Sequence, residues 1–126
     1  MSKILVIDDE ESIRSLLDTI LRRKGYNVIL AEDGRKGIEL FRQEQPDVIV
    51  LDLKMPEMDG LAVLQEIRRA NSSQPVIVLT GAGTPENEQQ VRALGVSEFV
   101  EKEFSLHHLG DALKRTLNTP GTAPSL

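Results

Sequence analysis

Five short apolar runs alternate with five helical patterns along the chain, and this alternation limits the fold more than any other feature. The apolar runs have the length and β-branched content of buried strands; they are Lys3–Ile7, Asn27–Ala31, Val48–Leu51, Val76–Leu79 and Phe99–Val100. The helical patterns are Glu10–Lys24, Gly34–Gln45, Leu61–Ala70, Glu86–Leu94 and a last segment that Ser105 caps. Strand–helix units in this order require parallel pairing with right-handed crossovers.

The alternation predicts an α/β fold, a doubly wound five-stranded parallel sheet with five helices on both faces. Sheets of five such units commonly have the strand order 2-1-3-4-5 of flavodoxin-like folds. This order would bury the first, third and fourth strands, which are the three most continuous apolar runs. In the first helix we expect one apolar stripe toward the sheet, made of Ile13, Leu16, Leu17, Ile20 and Leu21.

With 126 residues the chain has room for one domain, which we expect to occupy residues 1–118. Residues 119–126 contain two prolines and a glycine without periodicity, which predicts a flexible tail or the start of a linker. The sequence has no cysteine, no secretory signal pattern and no run of about 18 apolar residues. We therefore expect a cytoplasmic protein without membrane association. The net charge of −5 and the lack of a helix-turn-helix after residue 118 predict no DNA binding in this chain.

Polar side chains stand where the predicted strands end. Asp8 and Asp9 follow the first strand, Asp52 the third and Thr80 the fourth, while the fifth ends near Lys102. The carboxyl ends of parallel strands meet at one edge, where ligands of such sheets bind. Three carboxylates there require compensation, and hard oxygen ligands favour Mg²⁺ with phosphate. A metal, a carboxylate, a hydroxyl and a cation around one point would stabilise a phosphoryl group in transfer.

These residues, taken in order, resemble the receiver domain of two-component response regulators, whose simplest form is the single-domain chemotaxis regulator. Asp8-Asp9, the segment Asp52–Gly60, Thr80-Gly81 and Lys102 carry the resemblance, which spans about residues 3–117. It implies a signalling phosphoacceptor that promotes only its own phosphorylation and dephosphorylation, and is not otherwise an enzyme. Asp52 would take the phosphoryl group from a sensor histidine kinase or a phosphotransfer protein.

The resemblance also implies how the phosphoacceptor is surrounded. Asp9 would bind Mg²⁺ directly, Asp8 would bind it through water, and the backbone carbonyl of Lys54 would join the phosphoacceptor as a further ligand. Thr80 would donate a hydrogen bond to the phosphoryl group, and Lys102 would pair with its oxygens. Mg²⁺ is the cofactor that this arrangement implies.

A switch is implied by the same resemblance. Thr80 would move toward the phosphate, and the ring of Phe99 would fill the space that Thr80 vacates. The altered surface would then meet a downstream protein target or a second copy of the chain. One position departs from the family pattern, since Glu103 stands where a proline usually follows Lys102. We expect a trans peptide there, because a cis peptide without proline costs about 2.5–4 kcal/mol.

Two other functions fit the same fold class. A hydrolase with an aspartyl-phosphate intermediate would have an acid–base Asp two residues after its nucleophile, and Lys54 stands at that position. A flavin or nucleotide binder would need a phosphate-cradling loop after the first strand. The acidic run from Asp8 to Glu11 would repel phosphate there.

Overall fold

The computed structural model describes residues 2–53, 55, 60–80, 88–96, 98–101 and 106–118. Strands within this part of the chain are β1 (Lys3–Ile7), β2 (Asn27–Ala31), β3 (Val48–Asp52), β4 (Val76–Thr80) and β5 (Glu98–Glu101). Helices there are α1 (Glu11–Arg23), α2 (Gly34–Glu44), α3 (Gly60–Ala70), α4 (Glu88–Ala93) and α5 (Leu106–Asn118). Among the described residues, none of these helices has the length and apolarity needed to cross a bilayer.

The strands form one parallel sheet in the order β2-β1-β3-β4-β5, so the predicted order is confirmed. The central position of β1, β3 and β4 is confirmed as well. Their residues Ile4–Ile7, Val48–Leu51 and Val76–Leu79 are all 0% exposed. Continuous apolar runs are typical of strands that are buried on both faces.

Each face of the sheet carries its own hydrophobic core, as a doubly wound fold requires. On one face, α2, α3 and α4 contribute Ile38, Phe41, Val63, Leu64, Ile67 and Val91. On the other face, α1 and α5 contribute Leu17, Leu21, Leu109, Ala112 and Leu113. The helices therefore hold the central strands from both sides and fix the edge at which those strands end.

The predicted apolar stripe of α1 is wrong at one position. Leu17 and Leu21 are buried, but Leu16 is 42% exposed. An α-helix turns by about 100° per residue, so Leu16 lies far from the core-facing direction that Leu17 defines. Ile13 packs only partly against the core.

The bounds of β1 and β2 are those predicted, and the bounds of the other described elements differ from the predicted ones by at most two residues. The difference that bears on function is in β3, which includes Asp52 as its last residue. The predicted cap Ser105, the predicted helix start at Glu86, and residues 119–126 lie outside the described residues.

Candidate functional site

Two acidic side chains are buried side by side at the carboxyl edge of the sheet. The register pairs Ile7 of β1 with Leu51 of β3, so Asp8 and Asp52 occupy the next positions on neighbouring strands. Asp8 is 0% exposed and Asp52 is 1% exposed. The end of β1 and the end of β3 therefore bring two carboxylates to one point beneath the surface.

Two exposed acids complete this cluster from the loop between β1 and α1. Carboxylate oxygens of Asp8, Asp9, Glu10 and Asp52 all lie within 4.8 Å of one another. Ionised carboxylates so close together repel each other, and two of them are removed from water as well. A hard divalent cation with oxygen ligands compensates such a group, and Mg²⁺ commonly takes one or two carboxylates with waters or phosphate. The acidic cluster fits that ion.

Hydrogen bonds fix the loop that carries three of these acids. The backbone N–H of Asp8 donates to the carbonyl of Ala31 at 3.1 Å. The Asp8 Oδ1 atom accepts from the N–H of Glu10 at 2.9 Å. The Asp8 carbonyl accepts from Nη1 of Arg14 at 2.8 Å. Three hydrogen bonds at Asp8 thus fix the backbone of the loop between β1 and α1.

The first residue of α3 lies against the backbone of the phosphoacceptor candidate. The N–H of Gly60 donates to the carbonyl of Leu53 at 2.8 Å. A Cβ atom added at Gly60 would lie 2.5 Å from the Asp52 carbonyl oxygen and 2.5 Å from Leu53 Cα. Only a residue without a side chain fits there, so the backbone at the start of α3 packs directly against the backbone at the end of β3.

The remaining predicted site residues are described only in part. Thr80 is the last residue of β4 and pairs with Glu101 of β5, so its backbone lies at the same edge as the acidic cluster. Lys54, Lys102 and the Lys102–Glu103 peptide lie outside the described residues.

Phe99, the predicted switch residue, lies in β5 and packs partly against the core beneath α3 and α4. Arg92 of α4 places its guanidinium carbon 4.3 Å from the centre of the Phe99 ring. A cation at this distance is attracted to the face of an aromatic ring. The contact connects α4 with β5.

Glu10 is the member of the acidic cluster that was not predicted from the sequence. It is the N-cap residue of α1 and has an extended backbone with φ −88° and ψ 116°. The run of four acids from Asp8 to Glu11 was the available signal. The run does not reveal which of its members turn toward the sheet, because that depends on where the helix begins.

The sequence model of the response regulator receiver domain matches residues 4–114. A probable transcriptional regulator, ycf27 of Guillardia theta, is 41% identical over 121 residues, which is 96% of this chain and 47% of the relative. The alkaline phosphatase synthesis transcriptional regulatory protein PhoP of Bacillus subtilis is 37% identical over 115 residues, 91% of this chain and 48% of the relative. The chain spans about half the length of these curated relatives.

Solved structures give the same result for the fold. The chemotaxis protein CheY4 of Vibrio cholerae superposes with a TM-score of 0.87 and 33% identity, over 93% of this chain and 99% of that one. The receiver domain of HemR from Leptospira biflexa superposes over the full length of both chains with a TM-score of 0.89 and 26% identity. Sequence, strand order and the acidic edge of the sheet agree, and the chain belongs to the response regulator receiver domain family.

Proposed function

We propose that the chain is a phosphoacceptor switch in which Asp52 takes a phosphoryl group from a phosphohistidine. A carboxylate oxygen of Asp52 attacks the phosphorus atom as the bond between phosphorus and the histidine nitrogen breaks. The histidine leaves as neutral imidazole once its nitrogen has taken a proton, and an acyl phosphate forms on Asp52. The reaction stores the phosphoryl group on this chain and does not turn over a separate substrate.

The acidic cluster would hold the cation that this transfer requires. In the proposed arrangement Asp9 binds Mg²⁺ directly, Asp8 binds it through water, and Asp52 and the backbone carbonyl of Lys54 are further ligands. Bound Mg²⁺ would offset the negative charge of the phosphoryl oxygens. The short distances between the carboxylate oxygens support this assignment.

Two further side chains would stabilise the phosphoryl group and couple it to the surface. Thr80 would donate a hydrogen bond to one oxygen, and Lys102 would pair with the others. Movement of Thr80 would leave space for the ring of Phe99. Phe99 packs only partly against the core, and the guanidinium of Arg92 lies over its ring, so a movement of the ring would change a contact with α4.

The partners follow from the proposed chemistry. A sensor histidine kinase or a phosphotransfer protein would supply the phosphoryl group. The switched surface would bind a downstream protein target or a second phosphorylated copy. Two of the relatives are named as transcriptional regulators, but we propose no DNA binding for the receiver domain itself. The absence of cysteine from the sequence is compatible with the reducing cytoplasm, where we propose that the protein acts.

We propose that residues 1–118 form the receiver domain and that residues 119–126 are a tail or the start of a linker. The family match, which ends at residue 114, supports the first half of this division. The last helix, α5, ends at Asn118.

One observation carries the proposed function. The carboxylate of Asp52 is 1% exposed, yet it lies within 4.8 Å of three other acids. Closely spaced carboxylate oxygens are the ligands that a hard divalent cation takes, and a cation beside Asp52 is what phosphoryl transfer to that residue requires.

The test is phosphorylation by a small phosphodonor such as acetyl phosphate in the presence of Mg²⁺. Intact-mass measurement should show the addition of one phosphoryl group per chain, and Asp52→Asn should abolish it. Asp33→Asn is the matched control, because Asp33 is an exposed acid that caps α2 through the N–H of Lys36 at 2.8 Å. Asn is an equally good N-cap residue, so this variant should be phosphorylated normally. Labelling that persists in Asp52→Asn would disprove the assignment.

A turnover assay on generic phosphoesters separates the switch from the hydrolase alternative. A switch should release no phosphate from such phosphoesters beyond the background rate. A hydrolase would release phosphate from generic phosphoesters over many turnovers, and this release would depend on Asp52.

A further inference from the structure

Arg14 connects the first turn of α1 with the end of β1. Its Nη1 atom donates to the backbone carbonyl of Asp8 at 2.8 Å, and its own N–H donates to the carbonyl of Glu10 at 3.1 Å. The side chain of Arg14 is half-buried. A guanidinium group in this position reaches back over the loop that carries Asp8, Asp9 and Glu10.

The Asp8 carbonyl belongs to the peptide that joins Asp8 to Asp9. A peptide unit is planar and rigid, so a hydrogen bond to its oxygen also fixes its N–H and the Cα atom of Asp9. The preceding peptide is held as well, because the N–H of Asp8 donates to Ala31 at 3.1 Å. The direction in which the Asp9 side chain leaves the backbone therefore depends on the contact with Arg14, together with the hydrogen bond from the N–H of Glu10 to Asp8 Oδ1 at 2.9 Å.

Asp9 needs such support more than its neighbour does. Asp8 is fully buried, whereas Asp9 is exposed. Packing thus holds the Asp8 side chain, while the position of Asp9 depends on the backbone of the loop. Repulsion from the carboxylates of Asp8, Glu10 and Asp52 would favour turning Asp9 outward in the absence of a cation.

We propose that Arg14 is a positioning residue of the metal site. By holding the Asp8 carbonyl it orients the Asp8–Asp9 peptide, and it thereby keeps the Asp9 carboxylate directed toward Asp52. Arg14 touches neither the cation nor the phosphoryl group in this role. The inference rests on the proposed function, because it assigns a purpose to the geometry of the same site.

The charge of Arg14 and its positioning role are expected to change Mg²⁺ affinity in opposite directions, so a measurement of affinity distinguishes them. A guanidinium near the acidic cluster repels Mg²⁺, so its removal would tighten Mg²⁺ binding if charge were the main effect. Loss of positioning would weaken binding instead. Partners that orient metal ligands typically contribute about 10–100-fold to metal affinity.

The experiment measures Mg²⁺ affinity by titration calorimetry, because the chain contains no tryptophan that could report binding by fluorescence. Arg14→Gln, whose shorter side chain does not reach the carbonyl, should weaken Mg²⁺ binding about tenfold. Arg14→Lys keeps the charge and a nitrogen that can donate to the carbonyl, so its loss of affinity should be smaller, about threefold.

Arg23→Gln is the matched control. Arg23 lies on the same helix, is exposed, and is more than two turns away from Arg14. The substitution changes the net charge by the same amount, and Mg²⁺ affinity should remain that of the parent. A second readout is the melting temperature in EDTA, which reports any merely structural contribution of Arg14.

A third readout is the rate of Asp52 phosphorylation as a function of Mg²⁺ concentration. In Arg14→Gln the concentration of Mg²⁺ needed for half the maximal rate should rise, while the rate at saturating Mg²⁺ should stay within about twofold of the parent. A lower melting temperature in EDTA with unchanged Mg²⁺ affinity would overturn the proposal, as would tighter binding. If Arg14→Gln does not fold, the Mg²⁺ affinity of Arg14→Lys tests the proposal, and an affinity equal to that of the parent would overturn it.

The parent protein keeps the two proposals apart. A parent that neither binds Mg²⁺ nor accepts one phosphoryl group contradicts the proposed function and the role of Arg14 together. A parent that does both, with Arg14→Gln equal to Arg23→Gln, contradicts only the role of Arg14.

Discussion

Within the part of the chain that the structure describes, the two edges of the sheet differ in how their acidic side chains are arranged. At the carboxyl edge, four carboxylates are crowded within 4.8 Å of one another. At the amino edge, charges of opposite sign meet. The backbone N–H of Lys3 donates to Oδ2 of Asp47 at 2.7 Å, and its Nζ lies 3.3 Å from Oε1 of Glu44. Arg115 donates to both carboxylate oxygens of Glu98, at 2.8 and 3.1 Å, and this hydrogen-bonded contact raises the pKa of Arg115.

Arg68 is a charged side chain at the amino edge whose hydrogen bonds go to backbone carbonyls. Its guanidinium donates to the carbonyls of Leu94 at 2.6 Å and Asn71 at 3.2 Å, and also to the carbonyl of Gly95. Burial lowers the pKa of Arg68. A cavity of about 520 Å³ adjoins it at the amino ends of β4 and β5. The Arg68 guanidinium beside this cavity already donates to protein carbonyls. We therefore do not assign the functional site to this cavity.

The contrast teaches that one parallel sheet can separate stability from function. All five strands run in the same direction, so one edge collects strand starts and the other collects strand ends. Paired charges at the amino edge add small stabilising contributions. Crowded carboxylates at the carboxyl edge repel one another, and we expect a bound cation to offset this repulsion. Substitutions at the two edges test that separation, and the largest effect is expected at the carboxyl edge.

Gly60→Ala should disrupt the carboxyl edge most strongly. The new methyl group would lie 2.5 Å from the Asp52 carbonyl oxygen and from Leu53 Cα, and both are backbone atoms that a rotamer change does not move. We expect the free energy of unfolding to fall by about 3 kcal/mol, as for severe overpacking, when it is measured by urea denaturation.

Gly110→Ala is the control for this change, because Gly110 is also helical but can accept a methyl group without a clash. A Cβ atom there would lie 3.5 Å from Cε and Nζ of Lys24. We expect Gly110→Ala to stabilise the protein by about 0.5–1 kcal/mol through helix propensity. Equal stability of Gly60→Ala and the parent would show that the start of α3 does not constrain Asp52.

Removal of one carboxylate from the acidic cluster should stabilise the metal-free protein. We expect Asp9→Ala to raise the unfolding free energy in EDTA by about 1 kcal/mol, because it relieves repulsion, which corresponds to about 3 °C in melting temperature. Mg²⁺ should raise the melting temperature of the parent by binding the folded state. The same addition should have little effect on Asp9→Ala.

Asp47→Ala removes an acid from the amino edge and is the matched control. Asp47 accepts from the N–H of Lys3 at 2.7 Å, so its loss should destabilise the protein slightly and leave the Mg²⁺ effect intact. In EDTA we therefore expect Asp9→Ala to raise the unfolding free energy and Asp47→Ala to lower it. If both variants lose stability there, the two edges do not differ in the way described.

The fold could be predicted from the sequence because its determinants are local. Uninterrupted apolar runs indicated the central strands, and glycines and prolines indicated where the elements end. The adjacency of Asp8 and Asp52 also followed, because both residues end strands that become neighbours in the predicted order. A strand order fixes adjacency without any knowledge of side-chain packing.

The details of the site could not be predicted because they depend on backbone positions. Whether Glu10 joins the acidic cluster depends on α1 beginning at Glu11, and helix ends are uncertain by one or two residues. The contact between Arg14 and the Asp8 carbonyl involves a backbone acceptor, which every residue has, so it leaves no sequence pattern. The prediction for Leu16 was wrong because the apolar stripe of α1 is narrower than the sequence pattern indicates, and Leu16 lies about 100° away from the buried Leu17.

The smallest expected effect concerns a strained residue at the amino edge. Gln45 follows α2 with φ 48° and ψ 65°, the left-handed conformation, and its N–H donates to the carbonyl of Phe41 at 3.2 Å. A side chain in this conformation costs about 1–2 kcal/mol, whereas glycine adopts it freely and is the common residue after a helix.

Gln45→Gly should therefore stabilise the protein, but by less than the full strain. Glycine also gains freedom in the unfolded chain, which offsets about 0.5–1 kcal/mol of the gain. We expect a net increase of about 0.5 kcal/mol in the unfolding free energy, measured by urea denaturation, with Mg²⁺ affinity unchanged because the site lies at the other edge. Gln43→Gly, an exposed position inside the same helix, should instead lose about 1 kcal/mol. The same substitution two residues apart thus has opposite expected signs, and a loss of stability at both positions would mean that the left-handed conformation of Gln45 carries no significant strain.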